Sequence, residues 1–331
     1  MIFDKLHDLE EIEKKILKGE TLLIAADEKL LKKLPAGRWI GGTTTYFMTE
    51  LGGVCTDKKI FVTELDAVAS NINIKTYDEN TIENIYLDAP ENGFSFIIMP
   101  AGSKCHSVFS MEAFSFKDFA MRPLIGWLPG THLDETGVDK PKAYSGAAPG
   151  KSIGGAIVMH VELTGNKLAE VGMLNMFEQG GGDTITFPES GFTAKEAYIN
   201  GVKVDFAKYI FENNLDLRLP LVTDVNGTFV NTSFCRNFGD DGEVMFYSPV
   251  FKTFEYKHAK PVANYAEKFT KKLSMGLGVE MVFSCNCILN YIYSGLDRYS
   301  RSDLSGPVTF GEIAYHIHNQ TVVYLRIIHN Q

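Results

Sequence analysis

Apolar residues at helical spacing open the chain. Leu9, Ile12, Ile16 and Leu17 fall on one face, with acids early in the segment and lysines late, as the helix dipole favours. The pattern predicts a helix over 6–18, a short apolar strand over 21–26, and a helix over 28–34 that Pro35 and Gly37 stop. Strands are expected over 39–47, 60–65 and 72–77, with Gly52, Gly53 and Asp57 marking a turn. The nearly uninterrupted apolar run over 94–100 reads as a strand buried on both faces, and 124–128 as a second. Helical patterns cover 81–87 and 107–119.

Between 129 and 151 the chain turns to Gly, Pro, Asp and Lys, which places a domain boundary near Ala148 and predicts domains over 1–148 and 149–331. Beyond it, strands are expected over 156–163, 219–224, 228–235, 244–247, 279–285, 308–317 and 321–328, and helices near 205–214, 262–275 and 286–295. Asn226-Gly227 between two strands predicts a type I′ hairpin. Hairpins interspersed with helices, without strict alternation, predict an α+β fold of mixed, largely antiparallel sheets with flanking helices, in two related or packed halves.

Composition changes this picture little. The 331 residues are 45% hydrophobic and 22% charged, the make-up of an ordinary globular protein. A net charge of −9 argues against a nucleic-acid partner, because phosphate binding needs clustered Lys and Arg. The Lys29–Lys33 run reads as a solvated helix face. The start lacks the shape of a secretory signal, no apolar run reaches the length of a membrane span, and the five scattered cysteines suit a reducing compartment, so a cytoplasmic protein with no membrane partner is expected.

Chemistry-bearing side chains are sparse. Cys105-His106 stand at an expected helix start, where the dipole lowers a thiol pKa, and form the candidate nucleophile and base of a cysteine hydrolase or transferase, with His132 as another partner. Cys285 and Cys287 lack the further ligands that zinc requires. Glu312, beside Gly311, has room for a ligand. It lies four residues from His316, roughly 13 Å along a strand, so these side chains cannot close a metal site by themselves. Asn319-Gln320 read as a hairpin turn whose backbone His318 and Thr321 satisfy. Gly180-Gly181-Gly182 are followed by no Lys-Ser/Thr, and Asp183 would repel a phosphate, so a flexible loop is expected in place of a P-loop. Tyr46, Phe47, Trp127 and Tyr198 lie near Gly-rich or polar turns, as the aromatic wall of a small-metabolite pocket would.

The run Gly306-Pro307-Val308-Thr309-Phe310-Gly311-Glu312-Ile313, closing with His318-Asn319-Gln320-Thr321, resembles the end of the FIST family of sensory input domains. Ala197-Tyr198-Ile199-Asn200-Gly201 resembles a family segment that opens a helix, and Met281-Val282-Phe283-Ser284-Cys285 resembles its apolar strand ending in Cys. In the first half, Trp39-Ile40-Gly41-Gly42-Thr43-Thr44-Thr45-Tyr46-Phe47 sits where that family has a Gly-polar-Ser/Thr turn after a strand. Asn286-Cys287-Ile288-Leu289-Asn290 depart from it, standing where relatives carry an Arg and then a Glu, and the next acid is Asp297. The resemblance implies a sensory or signal-transduction protein without cofactor. It would bind a small ligand such as an amino acid through Gly42, Thr43, Thr44, Tyr46, Cys285, Asn286, Phe310, Gly311, Glu312 and Asn319, and would act through a signalling partner or a homo-oligomer. A scaffold that has lost its ligand site is the remaining alternative.

Overall fold

The computed structural model describes residues 6–50, 52–135, 140–235, 238–239, 242–274, 281–295 and 305–329. Residues 275–280 and Asp297, on which parts of the expected strand and the departure after Cys285 fall, lie outside the described residues. Two compact units are present. The first comprises residues 1–173, 266–316 and 322–331, and the second residues 174–265 and 317–321. Residue 148, the expected boundary, lies inside the first unit, because the strand that follows it pairs on both edges with strands that precede it.

In chain order the first unit begins with β1 (Leu6–His7), α1 (Leu9–Leu17), β2 (Leu22–Ala26), α2 (Glu28–Leu31), β3 (Trp39–Thr43), β4 (Tyr46–Thr49), β5 (Gly52–Cys55), β6 (Ile60–Glu64) and β7 (Ala69–Tyr77). There follow β8 (Gly93–Ile98), α3 (Lys104–Glu112), β9 (Leu124–Trp127), β10 (Ala143–Ser145), β11 (Ser152–Ile153), β12 (Ala156–Leu163) and β13 (Lys167–Asn175). The second unit holds β14 (Ile185–Thr186), β15 (Gly191–Ala194), β16 (Glu196–Ile199), β17 (Val202–Asp205), α4 (Phe206–Glu212), β18 (Leu221–Val225), β19 (Thr228–Thr232), β20 (Val244–Val250) and β21 (Tyr256–His258). The chain closes with α5 (Tyr265–Ser274), β22 (Met281–Cys287), α6 (Ile288–Ser294), β23 (Gly306–Thr309), β24 (Glu312–Ala314), β25 (His316–His318) and β26 (Thr321–His329). The fold is α+β, with mostly antiparallel pairing. Among the described residues no helix is long and apolar enough to cross a membrane.

Three sheets build the first unit. One runs β1-β6-β2-β3-β10-β11, one joins β24, β9, β8, β12 and β7, and one runs β13-β26-β22-β23-β4-β5. β2 with β3, β8 with β9 and β22 with β23 are parallel pairs inside sheets that pair mostly antiparallel. A single core draws Leu23 and Ile40 from the first sheet, Phe96 and Trp127 from the second, and Phe47 and Phe283 from the third. The continuous apolar run of β2 and the nearly continuous one of β8 follow from burial on both faces. α1 covers the first sheet with Ile12 and Ile16, and the Glu11 carboxylate accepts the Asp8 N–H at its start.

Two expected long strands are each divided, for one physical reason. The segment over 39–47 leaves the first sheet after Thr43 and joins the third at Tyr46. The segment over 308–317 leaves the third sheet after Thr309 and joins the second at Glu312. Buried apolar residues stand on both sides of each switch, Ile40 and Phe47 at the first and Val308 and Ile313 at the second, so each pair of strands reads as one run across a short polar interval. Elsewhere the expected helix over 81–87 is a 3-10 turn at Ile82–Asn84, and α3 begins at Lys104, capped by the Ser103 hydroxyl, which accepts the His106 N–H at 3.0 Å.

In the second unit, one sheet runs β17-β16-β14-β21-β18-β19 and β15 pairs with β20. The Asn226-Gly227 hairpin forms between β18 and β19 with both residues at positive φ, 52° and 86°. Asn200-Gly201 likewise turn a hairpin between β16 and β17 and open no helix; α4 begins later, where the Asp205 carboxylate accepts the Lys208 N–H. Phe187, Phe206, Phe234, Phe246 and Tyr256 form the aromatic centre of this unit.

Candidate functional site

A cleft opens in the first unit beyond the C-terminal ends of β2, β3 and β9, where the residues after each strand meet. Asp27 and Glu28 follow β2, Thr43 ends β3 with Thr44 and Thr45 after it, Gly130, Thr131, His132 and Glu135 follow β9, and Lys140 precedes β10. In open α/β sheets ligands favour the crevice at the carboxyl ends of parallel strands, and the parallel pair β2 and β3 ends at this cleft in the same way. About 20 Å³ of the cleft admits water-sized groups, room for one polar terminus of a ligand whose remainder faces outward.

The threonine triplet stands at the sheet switch, and its three hydroxyls differ. Thr43 Oγ1 accepts the Lys142 N–H at 3.0 Å. Thr44 Oγ1 accepts from the Tyr46 N–H at 3.2 Å and donates to the Val308 carbonyl at 2.7 Å, tying one sheet switch to the other. Thr45 is only 3% exposed, and its Oγ1 has no hydrogen-bond partner among the described residues. Thr131 Oγ1, also on the cleft, is a second buried oxygen without one.

Charge around the cleft is mixed. Glu28 accepts from both ends of a cationic pair, Lys32 at 2.6 Å and Lys142 at 2.7 Å, and from the Tyr144 hydroxyl at 2.7 Å. Burial by itself would raise its pKa, but these three donors bring it down to about 2. Asp27 caps α2 by accepting the Lys29 N–H at 2.8 Å. His132 stacks on Tyr46 at 5.7 Å between ring centroids, and the Tyr46 hydroxyl accepts the Leu133 N–H at 3.1 Å. Tyr291 of α6 meets Tyr46 edge-on.

The residues expected at a ligand site are distributed over three depths. Thr43 and Thr44 line the cleft, whereas Tyr46 stands behind it, stacked on the lining residue His132. Gly42, Phe310 and Gly311 lie one layer beneath. A Cβ at Gly42 would sit 2.6 Å from the Trp127 indole nitrogen, Phe310 packs on Gly130, and the Gly311 carbonyl accepts the Leu128 N–H at 2.8 Å. Cys285, Asn286 and Glu312 belong to the interior. Glu312, 0% exposed, pairs in register with Trp127, the Cys285 thiol lies 3.6 Å from the Gly126 carbonyl, and Asn286 Oδ1 accepts from Asn290. Burial, and then the Glu312 charge, raise the Cys285 pKa well above the thiol range.

Asn319 belongs to the second unit, in a buried amide cluster. Asn231 donates to the Asn319 carbonyl at 3.0 Å and exchanges amide hydrogen bonds with Asn175, Ser233 donates to Gln320 Oε1 at 2.7 Å, and Gln320 donates to the Arg218 carbonyl at 2.9 Å. Gln320 has a positive φ of 52°, as a turn residue would, but the cluster uses these side chains to anchor residues 317–321. His316 stacks on Phe114 at 4.2 Å, with its Nε2 3.0 Å from the Ser110 carbonyl. Phe47 and Trp127 are core residues, whereas Tyr198 lies half-buried in β16.

Cys105 sits in the first turn of α3, as expected, but burial outweighs the helix dipole and pushes its thiol up to about 11. Burial also pulls the neighbouring His106 down to about 4. The pair is a neutral thiol beside a neutral imidazole. Among the described residues no three His, Cys, Asp or Glu side chains converge as a metal site would require.

Residue types alone do not bring Asp27, Thr45, Thr131, His132, Glu135 and Lys140 together. The signal that could have found most of them is positional: Asp27, Thr45, Thr131, His132 and Glu135 lie within several residues after the ends of β2, β3 and β9, whereas Lys140 precedes β10 and carries no such signal. No curated protein matches the chain. Residues 7–328 match a family described as a family of unknown function, DUF6976, and the chain belongs to it.

Proposed function

We propose that the protein binds a small zwitterionic metabolite, such as an amino acid, in the cleft of its first unit, as a sensory protein of the FIST type. The observation that carries this reading is the Thr45 hydroxyl, buried on the cleft without a hydrogen-bond partner among the described residues. A buried hydroxyl left unsatisfied costs about 1–3 kcal/mol, which a ligand oxygen would return. Asp27, Glu135 and Lys140 all line the cleft, so both signs of charge are present for an ammonium and a carboxylate. The raised thiol of Cys105 supports binding over cysteine catalysis. Output from such a protein passes to a signalling partner or to a second copy of the chain.

The test is a thermal-shift titration with amino acids, small organic acids and nucleotides, repeated on Thr45→Val. A folded-state ligand raises the melting temperature by mass action. The reading expects a saturable rise with amino acids that Thr45→Val removes, while the unliganded variant melts no lower than the parent. A flat screen, or a shift that survives Thr45→Val, overturns it.

A further inference from the structure

The second unit carries its own pocket, open and about 280 Å³ in volume, at the lower end of the roughly 300–1,000 Å³ usual for small-molecule sites. Ile185, Leu215, Ala259 and Pro261 make its walls apolar, and Tyr209 adds an aromatic ring. Gly180, Gly181 and Gly182 form one rim. The three glycines are not equivalent. A Cβ at Gly180 would fall 2.6 Å from the His258 carbonyl, so the fold demands glycine there. A Cβ at Gly181 or at Gly182 would meet nothing within 4 Å, and neither residue has a positive φ, so neither sterics nor backbone conformation demands glycine. Glycine costs roughly 0.5–1 kcal/mol of chain entropy relative to alanine in regular structure, and here the bare backbone borders the pocket.

The charges at the rim choose the sign of the occupant. Lys260 is neutralised by its ion pair with Glu178. The Asp183 carboxylate is exposed and anionic, held in place by the Asn200 amide at 2.7 Å and the Tyr209 hydroxyl at 2.8 Å, and each oxygen keeps a further lone pair. The same acid that excludes a phosphate from this glycine triplet attracts a cation.

We propose that this pocket is a second binding site, for a small apolar or aromatic molecule bearing a primary ammonium group, with the apolar part against Leu215 and Pro261, the ammonium on Asp183, and the bare backbone of Gly181 and Gly182 closing over it. The site is independent of the cleft in the first unit.

Calorimetric titration of the full chain with 2-phenylethylamine, and with 3-phenylpropionate as the oppositely charged analogue of similar size, tests the assignment. Saturable binding of the amine with a Kd of about 1 mM or tighter is expected, with the carboxylate weaker by about tenfold or more. Asp183→Asn removes the charge that the amine requires and should weaken its binding about tenfold or more, and Asp183→Glu, which restores a carboxylate, should recover part of it. Thr45→Val leaves this binding intact. Absence of saturable amine binding, equal binding of the carboxylate, or full amine affinity in folded Asp183→Asn overturns the proposal.

Discussion

The hydroxyl of Thr44 donates to the carbonyl of Val308 at 2.7 Å, joining two residues that lie 264 positions apart. Each stands next to a place where the chain changes sheet, one leaving β3 for β4 and the other leaving β23 for β24. The bond fixes the floor from which Thr43 and Thr45 reach the cleft.

Thr44→Val removes the donor and leaves a buried carbonyl short of a partner, so it should lower unfolding free energy by about 1–3 kcal/mol. Thr44→Ser keeps the hydroxyl and should lose less. Urea denaturation of both variants measures the difference; equal losses would mean that the methyl packing, not the bond, matters.

Gly42→Ala places a methyl 2.6 Å from the Trp127 indole nitrogen, inside a core where the ring has no free direction. Overpacking of this kind costs about 1–3 kcal/mol. The variant should unfold at lower urea and shift the tryptophan emission, and an unchanged emission would show that the ring stays in place.

Stability should fall on acidification below about pH 6.5. His160 is buried, its Nδ1 2.7 Å from the Ser95 hydroxyl and its Nε2 2.8 Å from the Tyr77 hydroxyl, which in turn donates to Asp88. Because Tyr77 gives its proton to Asp88, His160 donates through Nε2 and accepts from Ser95 through Nδ1. Burial lowers its pKa from 6.5 to about 4. The unfolded chain therefore binds a proton that the folded one refuses, and stability declines as pH drops from about 6.5 towards 4. His106, also lowered to about 4, adds to the same window. His160→Gln should flatten part of this slope in urea titrations at successive pH values; an unaltered slope would place the proton uptake elsewhere.

Native thiol labelling should show one fast cysteine. Cys55 is exposed, Cys105, Cys285 and Cys287 are buried, and Cys235 is intermediate, with burial pushing its thiol up to about 11. A disulfide reagent at neutral pH should react first at Cys55, and Cys55→Ser should remove the fast phase. Fast labelling of Cys105 would restore the nucleophile reading.

Strands written as apolar or nearly apolar runs, such as β2 and β8, are legible in the sequence, because burial on both faces leaves few polar positions, Ser95 in β8 being satisfied by His160. The divisions at Thr44-Thr45 and Phe310-Gly311 are not, since buried apolar residues resume directly beyond each short polar interval and nothing local says which sheet they join. Of the site, Thr43, Thr44 and Tyr46 stand out locally by type. Asp27, Thr131 and His132 join them only through the parallel register of β2 with β3 and the placement of β9, which no local pattern encodes. Cys285 and Glu312 have the residue types of a reactive site, yet their side chains point into the interior.

The sheet that carries β4 and β5 finds its next strand, β23, near the end of the chain, and the second unit is finished by residues 317–321. A ribosome must therefore make the chain through β23 before the first unit has all its parts, and through residues 317–321 before the second has. The early segments emerge with apolar faces and open strand edges that wait for late partners, the condition that slows folding and invites aggregation. Chains cut short before β23 are expected to be substrates for chaperones and proteases, not shortened versions of a working protein.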